Sequence, residues 1–133
     1  MSKSPGKPAR PSKTASRFRI KRIYEPASKD DGLRVLVDRL WPRGVAKKKA
    51  HIDLWLRDLS PSDALRRMVH ADPTKWDEFV KAYGRELKQE PARTALADLR
   101  KLPRSRPVTL LYAARDEAHN NAVALKRLLA RAK

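Results

Sequence analysis

The sequence predicts a small α/β domain, a three-layer sandwich with a short mixed sheet of about four strands and about four helices. Three observations carry this expectation. Two largely apolar runs, Leu33–Val37 and Val108–Ala114, each end in a crowd of charged and polar residues, as strands ending at a sheet edge do. Between and after them, apolar residues recur at helical spacing in several segments opened by Ser, Asp or Pro. The chain has no cysteine, so the fold must rest on its own core. The expected organisation is a basic tail over 1–17 and a single α/β domain over 18–133.

Each element has its own signal. Phe18 to Tyr24 alternates apolar and basic residues (Phe18, Ile20, Ile23), which fits a strand with one wet face. Pro26 and the turn pair Asp31-Gly32 separate it from the next strand. The intervening segment is too short for a helical crossover, so these two strands, if paired, should be antiparallel. Leu33–Leu40 is apolar on both sides and reads as a central strand. After the basic loop Ala46–Ala50, the alternation of Ile52, Leu54 and Leu56 favours a third, short strand. Ser60-Pro61-Ser62-Asp63 starts a helix to about His70, with Pro61 at the first helical position. Asp72-Pro73 opens another, whose stripe is Trp76, Phe79, Val80, Tyr83 and Leu87. Pro91 starts a third, with Ala95, Leu96, Leu99 and Leu102 on one face. Val108–Ala114 is the last strand, and Ala118–Ala130 the closing helix.

The net charge is +17, and eight of the cations lie in Met1–Arg22, which holds no acid. With three prolines and almost nothing apolar before Phe18, Met1–Ser16 is expected to be disordered. A basic tail on a basic domain attracts polyanions by counterion release, so nucleic acid is a candidate partner, although solubility alone would also account for the tail. No zinc finger, aromatic RNA motif or helix-turn-helix accompanies it. Thiol chemistry is excluded, and the histidines show no metal-ligand spacing, so neither metal nor cofactor is expected. No apolar run is long enough to span a membrane and no signal-peptide core is present, so a cytoplasmic protein is expected.

Two stretches hold the candidate site residues, both following the C-terminal ends of expected strands, where open α/β sheets bind ligands. The first supplies Asp38, Arg39, Trp41 and Arg43, with Gly44 allowing a tight turn. Arg39 and Arg43 could fork around a phosphate or carboxylate, Trp41 could stack on a base or sugar, and Asp38 could move protons. An Asp38–arginine ion pair with Trp41 as a lid over the core is the plainer alternative. The second stretch runs from Tyr112 through Arg115, Asp116, His119 and Asn120 to Asn121, at a helix start that offers free N–H groups to an anion. Ordinary capping by Asp116 would also explain part of it. Arg66 and His70, at i and i+4, share a helix face and could reach the same pocket, with His70 and His119 as proton-transfer groups.

The blocks RVLVDRLWPRG, LWLRDLSPSDALRRMVH and TLLYAARDEAHNNAVAL resemble the signatures of the YeaO-like branch of domain-of-unknown-function family 488. The resemblance runs from Arg22 to about Leu129 and implies a compact α/β fold in a small prokaryotic protein. It assigns no activity. The family usually reads Asn-His-Ala where this chain has Asn120, Asn121 and Ala122, so a mechanism needing an imidazole at Asn121 would have to draw on His119. Two functions follow as expectations: binding of an anionic, phosphate-bearing or nucleotide-like molecule at the sheet edge, with or without catalysis, and a nucleic-acid-binding module aided by the tail. The oligomeric state is not readable from the chain.

Overall fold

A computed structural model of the chain describes residues 17–131, so the expected disordered segment Met1–Ser16 lies outside the described residues. Arg17, which the sequence puts in the tail, is anchored: its guanidinium donates to the carbonyls of Leu102 and Pro103. Four strands form one sheet: β1 (Phe18–Arg22), β2 (Leu33–Leu36), β3 (Leu54–Trp55) and β4 (Val108–Tyr112), in the order β1-β4-β2-β3. The helices are α1 (Lys47–Ala50), α2 (Asp63–Ala71), α3 (Trp76–Glu86), α4 (Ala92–Arg100) and α5 (Asn121–Arg131).

The α/β class stands, but the sheet is not mixed. Every pairing among the described residues is parallel, and β1 and β2 are not neighbours because β4 lies between them. The short link therefore needs no helix. It must descend one strand, about 16 Å, and step two strand spacings sideways, about 10 Å, well within the reach of ten residues. Gly32 closes this link at φ +66°, and a Cβ there would lie 2.1 Å from the Pro107 carbonyl oxygen. That same oxygen accepts from the Leu33 N–H at 2.9 Å, so only glycine lets β2 enter beside β4.

Alternation along the strands sends two different sets of side chains to the two faces. Phe18, Val35, Val108, Leu110 and Tyr112 join the large core against α2 to α5, to which Val69, Phe79, Tyr83, Leu99, Ala122 and Leu125 contribute. The α3 stripe is as expected, with Phe79, Val80, Tyr83 and Leu87 buried, and the Tyr83 hydroxyl donates to the Leu59 carbonyl. Leu36 and Leu111 face the other way, into a small core with Ile23 that is covered by Trp41, Val45, Ile52 and Trp55. The three layers are thus unequal: four helices on one face, and on the other a loop with the single-turn α1.

Element ends shift from expectation for local reasons. β2 stops at Leu36 rather than Leu40, because beyond Val37 the chain turns to serve the sheet edge. α2 is capped by Ser62, whose hydroxyl accepts from the Leu65 N–H at 3.3 Å, so Pro61 precedes the cap instead of occupying the first turn. Pro73 opens a 3-10 turn capped by Asp72, and α3 follows at Trp76. α5 begins at Asn121 and not Ala118, because Asp116 spends its carboxylate on the Ala118 and His119 N–H groups in a separate turn. Among the described residues no helix is long and apolar enough to cross a membrane.

Candidate functional site

The parallel arrangement puts the C-terminal ends of β1, β4 and β2 side by side, and the chain leaving each of them helps to build one cavity of about 320 Å³. Asp38 sits at its floor as a clamp between elements. Its Oδ2 accepts from the Ala113 N–H at 2.9 Å, just past β4, and its Oδ1 accepts from Asn121 Nδ2 at 2.8 Å, the first residue of α5. Asn121 Nδ2 also reaches the Val37 carbonyl at 3.1 Å, and the Asp38 carbonyl accepts from the Trp55 indole at 2.7 Å. One short stretch therefore ties β2, β3, β4 and α5 together. Burial pushes the Asp38 carboxyl above the usual range, outweighing the Ala113 N–H, the Asn121 amide and the nearby Arg66 charge, each of which favours the ionised form.

Three arginines line the cavity with this carboxyl. Arg39 and Arg43 come from the loop after β2, and Arg66 from α2; His70, one turn beyond Arg66, completes that wall. Asp63 competes for two of the cations: it pairs with Arg66 and lies 3.9 Å from Arg39 Nε. It is solvent-exposed, and the Arg66 hydrogen bond and charge hold its carboxyl below the usual range. Arg66 Nε is buried and has no hydrogen-bond partner among the described residues. The turn that carries Arg43 is closed by the Val45 N–H donating to the Pro42 carbonyl, with Gly44 at φ +74° as its third residue.

Trp41 lines the cavity but is held as the lid of the small core, as the plainer alternative has it. Its indole N–H donates to the Val45 carbonyl at 2.6 Å, its ring meets Trp55 edge-on at 5.4 Å, and Lys47 stands 5.7 Å above it. Tyr24, which the sequence reading passed over, supplies the exposed aromatic surface at the mouth. Its hydroxyl donates to the Arg43 carbonyl at 2.9 Å, and the Arg22 guanidinium stacks 4.7 Å from the ring centre. The signal was present: Tyr24 follows β1 at the same sheet edge at which β2 and β4 end.

The second candidate stretch divides. Asn121 belongs to the first cavity. Arg115 and His119 line an adjoining cavity of about 330 Å³ with Asp116 and Pro73, and His70 and Ala114 border both. His119 Nδ1 lies 3.1 Å from Asp116 Oδ2, and its ring meets Trp76 edge-on at 5.0 Å. Asn120 and Tyr112 reach neither cavity: Asn120 is the buried cap of α5, accepting from the Val123 N–H at 3.0 Å, and Tyr112 is buried in the main core. No group of three or more His, Asp or Glu able to hold a metal occurs among the described residues.

Comparison with known proteins places the chain. Residues 17–133 match the family model DUF488-N3i, described as the inactive DUF488-N3 subclade. The chain belongs to this family. It is 42% identical over 109 residues to the uncharacterised protein YeaO of Escherichia coli, covering 81% of this chain and 92% of that protein. It is likewise 42% identical over 114 residues to the uncharacterised protein Rv3073c of Mycobacterium tuberculosis, covering 86% of this chain and 94% of that one. The YeaO-like resemblance read from the three sequence blocks is therefore correct. No solved structure matches the chain significantly.

Proposed function

We propose that the cavity at the C-terminal sheet edge binds an anionic small molecule, phosphate-bearing or nucleotide-like, and holds it without transforming it. The observation that carries this reading is the convergence of Arg39, Arg43 and Arg66 on one concavity, beside a single carboxyl already engaged by a backbone N–H and an amide. Guanidinium groups match phosphate oxygens in pairs; Arg43 makes no ion pair among the described residues, and the pair Arg39 makes with the exposed Asp63 is long, at 3.9 Å, and open to solvent. The exposed Tyr24 ring beside them suits the base or sugar of a nucleotide.

Two features favour binding over turnover. The subclade is described as inactive, and Asn121, where the family usually carries histidine, gives Asp38 an amide partner in place of a titratable one. Proton relay from Asp38 would first have to break that clamp.

The test is thermal shift and calorimetric titration with inorganic phosphate, AMP and ADP in about 0.15 M salt, where diffuse attraction is damped. Wild type should be stabilised, with AMP above phosphate. Arg39→Ala and Arg66→Ala should each weaken binding about tenfold or more, as loss of a charge-assisted hydrogen bond does. The nucleic-acid alternative rests on the tail charge. If deleting 1–16 removes the nucleotide response while Arg39→Ala leaves it intact, the cavity reading fails and the tail is the binding element.

A further inference from the structure

A larger concavity, of about 550 Å³, lies away from these two among α3, α4 and α5, toward the end of α5 remote from Asn121. Its floor is apolar: Leu87, Leu96 and Leu128, with Gly84 between them. Gly84 lets Leu128 pack close against α3, because a Cβ there would lie 3.2 Å from Leu128 Cδ2 and that side chain would have to give way slightly. The rim carries five cations, Lys81, Arg85, Lys88, Arg100 and Arg131, and no acid. None of the five makes a salt bridge among the described residues. Arg85, Arg100 and Arg131 occupy last helical turns, where the helix dipole favours cations. The dipole does not account for Lys81 and Lys88, nor for leucine surface gathered between five unpaired charges.

We propose that this groove is a docking site for an acidic amphipathic segment of a partner protein, apolar side chains seated on the leucines and carboxylates meeting the rim. Charge complementarity selects that occupant. The chain's own tail is excluded by sign, since Met1–Arg22 is as basic as the rim and holds no acid. A nucleic-acid strand fits poorly, because no aromatic ring lines the groove on which a base could stack. A membrane surface fits poorly as well, since the apolar atoms form a recess rather than a projection. An amphipathic helix laid in a groove places anchors at i, i+3, i+4 and i+7 with acids along its flanks, which is the pattern of leucine floor and basic rim.

The experiment uses the full chain and a fluorescent synthetic helix with leucines at those positions and glutamates on its flanks, read by anisotropy in about 0.15 M salt. The leucine probe should bind at least about tenfold more tightly than the same peptide with serine anchors. The double variant Arg85→Glu/Arg100→Glu should lose the leucine probe and keep the phosphate-induced thermal shift of the sheet-edge cavity. Leu96→Ser, which leaves the charges in place, should reduce binding of the leucine probe to that of the serine probe, and covers the case in which the double variant fails to fold. The proposal is overturned by equal binding of the two probes. It is also overturned if a dT oligonucleotide displaces the leucine probe through the same residues, or if self-association of the chain excludes the probe and is abolished by the same variants.

Discussion

The two ends of β2 carry the same residue types and do opposite things with them. At the N-terminal end, Asp31 and Arg34 pair at 2.5 Å and both are buried. Every direction is filled: Lys21 Nζ lies 2.9 Å from Asp31 Oδ1, the Ser28 N–H donates to Asp31 Oδ2 at 3.0 Å, and Arg34 donates to the His51 and Ala50 carbonyls. The cluster is a rivet that pins α1 and its loop over the sheet. At the C-terminal end, Asp38 has its two fixed donors, while the arginines that line its cavity face solvent: Arg66 pairs with the exposed Asp63, Arg39 stands 3.9 Å from it, and Arg43 makes no ion pair among the described residues. The difference shows what makes a charged cluster structural or available: not its composition, but whether backbone groups have closed every remaining valence.

The sharpest way to break this comparison is to remove one partner from each end. Arg34→Met should cost about 3 kcal/mol, the lower end of the range for breaking a buried pair, because Lys21 still faces the Asp31 carboxylate while the His51 and Ala50 carbonyls of the covering loop lose their donor. Arg39→Ala should cost less than about 0.5 kcal/mol, as expected for an exposed arginine whose nearest carboxylate is 3.9 Å away. Urea denaturation of the two variants tests this directly, and equal losses would erase the distinction.

Asp38→Ala should lie between them, at about 1–3 kcal/mol, since the Ala113 N–H and the Asn121 amide lose their acceptor. The same urea titrations measure it; a loss as large as that of Arg34→Met would make the C-terminal cluster a second rivet.

The two carboxyls should also titrate with opposite sign. At Asp31, burial raises the carboxyl's affinity for a proton, but the Lys21, Ser28 and Arg34 contacts overcome it and the pKa falls below 3.8. Asp31 therefore contributes stability above 3.8 that is lost as pH drops through its lower folded value. At Asp38 burial wins and the pKa rises above 3.8, so folding favours the protonated form and its contribution declines as pH climbs through that raised value. Stability measured against pH should thus show wild type losing ground to Asp31→Asn on acidification below 3.8. It should show wild type gaining on Asp38→Asn as pH falls through the raised folded value toward 3.8. Parallel difference curves would contradict the opposed environments.

The smallest effect is expected at Tyr24. Tyr24→Phe removes one exposed hydrogen bond to the Arg43 carbonyl and should change stability by less than about 0.5 kcal/mol. Under the proposed nucleotide reading, calorimetry should find AMP affinity nearly retained in this variant and reduced severalfold in Tyr24→Ala, which loses the ring.

Much of the fold was legible because its signals are local. The stripe from Trp76 to Leu87 needs only the helical period, and the largely apolar VTLLY run, buried at every position, only the requirement that both faces of a central strand be covered. The site was legible in part for a related reason: residues that follow strand ends in sequence meet at one edge if the strands run parallel. Asp38, Arg39, Trp41, Arg43, Arg66, His70 and Asn121 do line one cavity. Arg115 and His119 fell into the adjoining one because Asp116 closes its own turn and delays α5 by three residues. Tyr24 was missed because its place beside Arg43 depends on β1 running parallel to β4, which local alternation does not encode.

By itself, then, the sequence determined most of the strands and helices, though it read the single-turn α1 at Lys47–Ala50 as loop, and with them the faces they bury, the family, and the charged character of the sheet edge. The tertiary structure decided strand order, direction and the fate of each charge. The insertion of β4 between β1 and β2 kept those two strands from pairing and turned an expected mixed sheet into a wholly parallel one. Backbone groups from distant loops then sealed Asp31 and Arg34 while leaving Arg39 and Arg43 open to solvent. Periodicity is a property of neighbours along the chain; partner choice and desolvation are set by contacts between segments far apart in it.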